Sequence, residues 1–117
     1  IDPFTVFGLF NKGITNANRI AIIGSIAKEF AVEAKVPDNF DGIPVLNNLK
    51  ATFYGFKDDR KEDDIDNIWN VFEAALALAA EDNEENRQEF SKLYDLVHDQ
   101  LCIRWNLTMG LYWIRPY

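Results

Sequence analysis

The feature that most constrains this chain is a helical repeat of apolar residues over residues 63–80. Apolar side chains recur there at intervals of three and four, which places them on one face of an α-helix. Residues 73–77 are strong helix formers. The pattern therefore predicts a long amphipathic helix over residues 63–80. Its apolar face consists of Ile65, Ile68, Trp69, Phe72, Leu76 and Ala79.

The segment 15–36 is predicted to form a helix because its apolar residues follow the same spacing. Thr15 or Asn16 can cap its start. Pro37 is expected to stop it, since the residue before a proline avoids helical geometry. The apolar residues are Ile20, Ile23, Ala27, Phe30 and Ala34.

Shorter repeats predict two more helices. One starts at Pro44, because proline suits the first turn of a helix, and its apolar residues are Leu46, Leu49, Phe53 and Phe56. The other starts at Asp82, which has Glu85 three residues later and so resembles a capping box. Its apolar residues are Phe90, Leu93, Tyr94, Val97 and Leu101.

The C-terminal segment 105–117 is dense in aromatic and β-forming residues around Asn106 and Gly110. It predicts a short hairpin or an irregular strap that closes the core, although its aromatic residues could instead anchor an interface. Short connections between helices favour antiparallel neighbours. The predicted fold class is therefore mainly α: a compact bundle of about four helices with an aromatic C-terminal strap or short hairpin.

The chain has 117 residues, the length of one domain. Residues 1–5 have the form of a vector-derived remnant, so a single helical domain is predicted over 6–117. Cys102 is the sole cysteine, which excludes an intramolecular disulfide and favours a reducing compartment. No apolar stretch is long enough for a membrane span. We therefore expect a cytoplasmic protein without membrane contact.

The negative charge is confined to one part of the sequence. The chain has 19 acidic and 12 basic residues, a net charge of -7. Residues 1–50 hold five of each and are neutral, whereas residues 58–99 hold fourteen acids and four bases. Direct binding of DNA or RNA is excluded as the main role, because phosphate contacts need a basic patch.

Helical spacing places part of this charge on two ridges, one on the helix over 63–80 and one on the next helix. Two adjoining acidic ridges would steer and bind a basic partner. The alternative is that these acids only solvate the helices and favour helix N-termini. The predicted binding residues are Asp59, Asp63, Asp66, Glu73, Glu84, Asp95 and Asp99.

Reaction chemistry has weaker support. Asp95, His98 and Cys102 share one helical line and are the residue types of a cysteine nucleophile with its base and orienting acid. A lone cysteine among apolar residues is more often buried and inert. A single histidine cannot build a di-iron bundle, and a calcium-loop spacing from Glu62 has Asn67 where the loop needs glycine. The sequence predicts no enzyme, metal or cofactor.

The leading hypothesis is a bacterial-type, non-catalytic inhibitor that binds a basic protein through its carboxylates. It would act as a nucleic-acid mimic or as an immunity-type protein, so the expected partner is a nucleic-acid-binding protein or a nuclease toxin. The first alternative is a general interaction adaptor or secretion chaperone that uses the aromatic C-terminal segment. The second is a small Cys/His enzyme.

Overall fold

A computed structural model describes residues 1–100 and 103–115. Its helices are α1 (Pro3–Gly8), α2 (Asn16–Glu29), α3 (Asp64–Ala80), α4 (Glu84–Val97) and α5 (Arg104–Ile114). Over these residues the β pairing is limited to one isolated parallel bridge between Lys12 and Leu46. The predicted mainly α bundle is confirmed. In this part of the chain, no helix combines the length and apolar character needed to cross a membrane.

α3 is the central helix and contacts α1, α4 and α5. Its bounds agree with the prediction to within one residue. Ile68 and Val71 are fully buried, whereas Asp66 and Glu73 are exposed on the opposite side of the helix. Of the six residues of the predicted apolar face, Ile68 is buried, Ile65 and Phe72 are partly buried, and three are exposed: Trp69, Leu76 and Ala79. The apolar residues that α3 buries are Ile68, Val71, Ala74 and Ala75, so the helix was predicted correctly but its buried face only in part.

α4 begins one residue later than a cap at Asp82 predicts. The side chain of Asn83 accepts a hydrogen bond from the Asn86 N–H at 2.8 Å and caps the helix. Asp82 is instead bound to Arg87, with Nε and Oδ1 2.5 Å apart, and this hydrogen bond lowers the pKa of Asp82. The predicted N-cap at Asp82 was wrong, because the Asp82 carboxylate binds Arg87 and the side chain of Asn83 caps the helix instead. α4 ends at Val97, and Leu101 lies outside the described residues.

α2 starts as predicted, with the Thr15 hydroxyl accepting from the Asn18 N–H at 3.3 Å. It ends at Glu29, well before Pro37. The N–H groups of Ala31 and Val32 bond back to the carbonyls of residues 28 and 27 at 3.3 and 2.8 Å. This is a Schellman turn, and Ala31 holds its left-handed position with φ 51°. The predicted end at Pro37 was wrong because residues 30–35 are exposed, so a longer helix would bury nothing.

Ala31→Gly is expected to raise the free energy of unfolding by about 0.5–1 kcal/mol, because glycine adopts this φ without a Cβ penalty. Urea unfolding of the two proteins measures the gain. The control is Ala34→Gly, which changes another exposed alanine that has no positive φ. An equal gain from both substitutions would contradict the explanation.

The segment 44–56 does not form the predicted helix. The Leu46 N–H donates at 2.8 Å to a carbonyl of the α1–α2 connection, and Phe53 inserts into the core with no exposed surface. Leu49 and Phe56 are 93% and 85% exposed. The prediction was wrong because the four apolar residues do not share one buried face. Leu46 and Phe53 are buried at separate points, and Leu49 and Phe56 are exposed.

The aromatic C-terminal segment closes the core as α5. Leu107 is buried, and the Asn106 side chain donates at 3.0 Å to two carbonyls of the segment 44–56. The Trp113 indole N–H donates to the Pro44 carbonyl at 3.0 Å. The hairpin alternative was wrong because packing against the core overrides the β propensity of these residues. Residues 116–117 lie outside the described residues.

Residues 1–5 are left out of the predicted domain, but residues 2–5 are buried. The Asp2 carboxylate caps α1 and accepts hydrogen bonds from the Thr5 N–H and hydroxyl at 3.0 and 2.5 Å. The same hydroxyl accepts from the Phe53 N–H at 3.0 Å. Phe4 is fully buried and stacks on Phe53, with ring centroids 5.3 Å apart. Burial raises the pKa of Asp2. Leaving these residues out of the fold was wrong because an aspartate cap followed by proline starts a helix.

Candidate functional site

The seven carboxylates predicted to bind a partner are all exposed. Asp66 and Glu73 lie on the solvent side of α3, and Glu84 and Asp95 lie on the solvent side of α4. The others lie just outside the helices: Asp59 in the turn before α3, Asp63 at its N-cap position and Asp99 after α4. The exposure predicted from helical spacing is therefore observed.

The antiparallel packing of α3 and α4 sets which carboxylates lie together. The Gln100 side chain donates to the Asp64 carbonyl at 3.3 Å, which joins the end of α4 to the start of α3. Five aspartates flank this junction in the sequence, and we call them the acidic end: Asp59, Asp63, Asp66, Asp95 and Asp99.

Glu84 and Glu73 are not part of the acidic end. Glu84 starts α4, eleven residues before Asp95. At the rise of an α-helix this is about 16 Å along the axis. Glu73 lies in the middle of α3. Five of the seven predicted residues therefore flank the joined ends of α3 and α4 in the sequence, and two lie farther along the helices.

The acidic end makes few close ion pairs. Among the described residues, only Asp99 of these five has a basic side chain within ion-pair distance, the His98 imidazole, with Nε2 and Oδ1 3.2 Å apart; the pair carries opposite charges only when the imidazole is protonated. Arg60 lies in the same segment but donates to the Gly55 carbonyl at 3.2 Å and stands over the Tyr54 ring. The charge of the acidic end is thus directed at solvent, where it produces a negative potential.

His98 does not make the contacts that a cysteine-nucleophile site needs. Its Nδ1 lies 3.0 Å from the backbone carbonyl oxygen of Asp95, not from the Asp95 carboxylate. The ring stacks on Tyr94 at a centroid distance of 5.8 Å. Cys102, the predicted nucleophile of this alternative, lies outside the described residues.

A second site is an apolar cavity of about 480 Å³. Small-molecule sites in proteins enclose about 300–1,000 Å³ and are mostly apolar with a few polar groups. The polar residues of this lining are Asn11 and Asn39. The lining comes from α1, α2, α3, α5 and the loop before Pro44, so no local spacing in the sequence could reveal it. Its apolar residues include Phe7, Phe10, Ile23, Phe40, Phe72, Leu76 and Trp113.

A buried arginine lies beside this cavity. Arg19 is 5% exposed, its Nε donates to the Phe10 carbonyl at 2.7 Å, and its Nη2 donates to Asn11 Oδ1 at 2.6 Å. The guanidinium stands over the Phe40 ring, 3.9 Å from its centroid. No carboxylate lies within ion-pair distance of it in the described residues. Burial lowers the pKa of Arg19, although a guanidinium stays protonated in proteins.

Asn11 is also 5% exposed. An arginine can only donate hydrogen bonds, so the Asn11 atom that faces it must be the amide oxygen. The amide nitrogen then points away from Arg19, and it donates no hydrogen bond to any described residue. Asn11 thus brings an unused donor to the lining of the cavity.

Comparison with known proteins gives one match, a family model that covers residues 1–117. The chain belongs to the family described as Domain of unknown function (DUF8425). No curated protein and no solved structure matches it. The DUF8425 description names neither a substrate nor a partner. The functional argument therefore depends on the geometry of the acidic end and the cavity.

Proposed function

We propose that this protein is a non-catalytic inhibitor that binds a basic partner protein through its acidic end, with Glu73 and Glu84 at the edge of the contact. The observation that carries the proposal is the Gln100–Asp64 hydrogen bond, which joins the two helix ends that five exposed aspartates flank in the sequence. Among the described residues, only Asp99 of the five has a basic side chain within ion-pair distance, the His98 imidazole. The partner is a nucleic-acid-binding protein or a nuclease toxin.

Electrostatics supports this kind of partner. Like charges on neighbouring turns of a helix repel by about 0.2–0.5 kcal/mol per pair, so a surface with such a cluster gives up a little stability. The same cluster speeds the encounter with a positively charged surface and disfavours contact with acidic ones. Carboxylates in that position would occupy the cationic surface that otherwise binds nucleic-acid phosphates.

Salt and DNA test the proposal directly. The immobilised protein is incubated with cell extract at about 50 mM and about 500 mM salt, a range over which the screening length falls severalfold. We expect the captured proteins to be basic nucleic-acid-binding proteins, released both by the higher salt and by double-stranded DNA at low salt. Capture that resists both treatments would contradict the proposal.

An adaptor that binds through α5 is the second candidate. The observation in its favour is that Trp105 and Tyr112 are 81% and 40% exposed. Trp113 is a poor contact residue because it lines the cavity and its indole is bonded to Pro44. In this case Trp105→Ala would abolish partner binding, and neutralising the acidic end would leave it unchanged.

A further inference from the structure

The cavity and the Arg19–Asn11 pair form a second site that shares no residue with the acidic end. We propose that this site binds a small amphipathic carboxylate, a molecule with an apolar body and one carboxylate group. The apolar body would lie among the aromatic rings of the cavity, and the carboxylate would accept a hydrogen bond from the Asn11 amide nitrogen.

The charge of Arg19 is the first argument. A buried charge is costly unless it is paired. Both hydrogen bonds of this guanidinium in the described residues are to neutral oxygens, the Phe10 carbonyl and Asn11 Oδ1. The Phe40 ring covers it. A negatively charged ligand next to Asn11 would bring the missing counter-charge to within about 8 Å of the guanidinium, given ordinary hydrogen-bond lengths. This favours an anion over a cation or a neutral molecule.

The unused donor of Asn11 is the second argument. The Asn11 amide nitrogen is not closed to solvent, and among the described residues it has no hydrogen-bond partner, so a ligand in the cavity that Asn11 lines can reach it. Asn11 is held in one orientation by Arg19, so its amide nitrogen keeps a fixed direction. Arg19 is therefore a positioning residue for Asn11, and Asn11 is the group that contacts the ligand. A ligand oxygen that accepts a hydrogen bond would give the Asn11 amide nitrogen its partner.

The lining is the third argument. Phe7, Phe72 and Trp113 come from three different helices and turn apolar surface towards the same space. Phe7 and Phe72 also contact each other, with ring centroids 6.0 Å apart. Such a lining binds hydrocarbon or aromatic groups through burial of apolar area. A ligand without an apolar body would leave most of the cavity unused.

Octanoate is a suitable probe, with octylamine and octan-1-ol as matched molecules that have the same chain and a cationic or neutral head group. Each is titrated into the ¹⁵N-labelled full chain and followed by NMR. We expect octanoate to shift the side-chain amide signals of Asn11 and the indole N–H signal of Trp113 in a saturable way. Octanol should bind about tenfold more weakly, because its hydroxyl oxygen accepts a weaker, uncharged hydrogen bond and brings no counter-charge for Arg19. Octylamine should not compete with octanoate.

Asn11→Asp is the decisive variant. The new carboxylate can still accept from Arg19, so it supplies the counter-charge from within the protein and removes the donor. We expect the variant to stay folded and to bind octanoate at least about tenfold more weakly. The control is Asn39→Asp, which makes the same chemical change at the other polar residue of the lining, one whose Oδ1 accepts from the Asp41 N–H.

Each outcome decides for or against the site. Octanoate binding that is lost in Asn11→Asp and retained in Asn39→Asp supports it. The proposal is overturned if octanoate causes no shift at Asn11 and Trp113, if octanol or octylamine binds as well as octanoate, or if Asn11→Asp binds octanoate like the unaltered protein. None of these results bears on the acidic end, so the two proposals succeed or fail separately.

Discussion

Gly110→Ala is expected to lower the free energy of unfolding by about 3 kcal/mol, at the upper end of what overpacking costs. A methyl group on residue 110 would lie 2.5 Å from Phe4 Cδ1 and 2.9 Å from Phe53 Cε1. Both rings are fully buried and stacked on each other, so neither can move aside without displacing the core. The close approach of α5 to α1 therefore depends on a residue without a side chain. Urea unfolding followed by circular dichroism measures the loss.

Gly24→Ala is the matched control, because Gly24 is also in the interior of a helix. Apart from its chain neighbours and the backbone of its own helix, no described atom lies within 4 Å of a methyl group placed there. Alanine is the better helix former, so we expect this substitution to stabilise the protein by about 0.5–1 kcal/mol. Two substitutions of the same type should thus have opposite signs. A similar small effect from both would show that α5 does not pack on Phe4 as described.

The parts of the fold that could be predicted are those fixed by local patterns. The bounds of α3 follow from an uninterrupted apolar repeat, and the start of α2 follows from the Thr15 cap. The segment 44–56 has a similar spacing but is held by distant groups, such as the Thr5 hydroxyl that binds the Phe53 N–H across 48 residues. No local pattern contains that information. The helix α5 could not be predicted for the same reason, because it packs against the rings of Phe4 and Phe53, which are distant in sequence.

The acidic surface was predictable in part for the same reason. Spacing within one helix indicates which carboxylates share its solvent side, and all seven are indeed exposed. How the two ridges align depends on the antiparallel pairing of α3 and α4. That pairing moves Asp95 and Asp99 towards Asp63 and moves Glu84 away from them. The cavity could not be predicted from the sequence, because its lining comes from five separate segments of the chain.

Neutralising the acidic end is expected to weaken binding of the basic partner by about 100-fold or more, since charged contacts across an interface contribute from fractions of a kcal/mol to several kcal/mol each. The variant replaces all five aspartates by asparagine, which keeps their shape. Stability should change little, because these side chains are exposed and repel one another. Asp63 makes no side-chain cap bond that the change could remove. The dissociation constant for a partner captured in the salt experiment is the measurement.

A second variant with the same loss of charge separates a specific surface from net charge. It replaces five exposed glutamates elsewhere by glutamine: Glu29, Glu33, Glu81, Glu85 and Glu89. Long-range attraction depends on the total charge, so both variants should slow association to a similar extent. Only the loss of direct contacts at the acidic end should also speed dissociation, because short-range interactions govern that rate. Equal dissociation rates for the two variants would mean that the acidic end is not the contact surface.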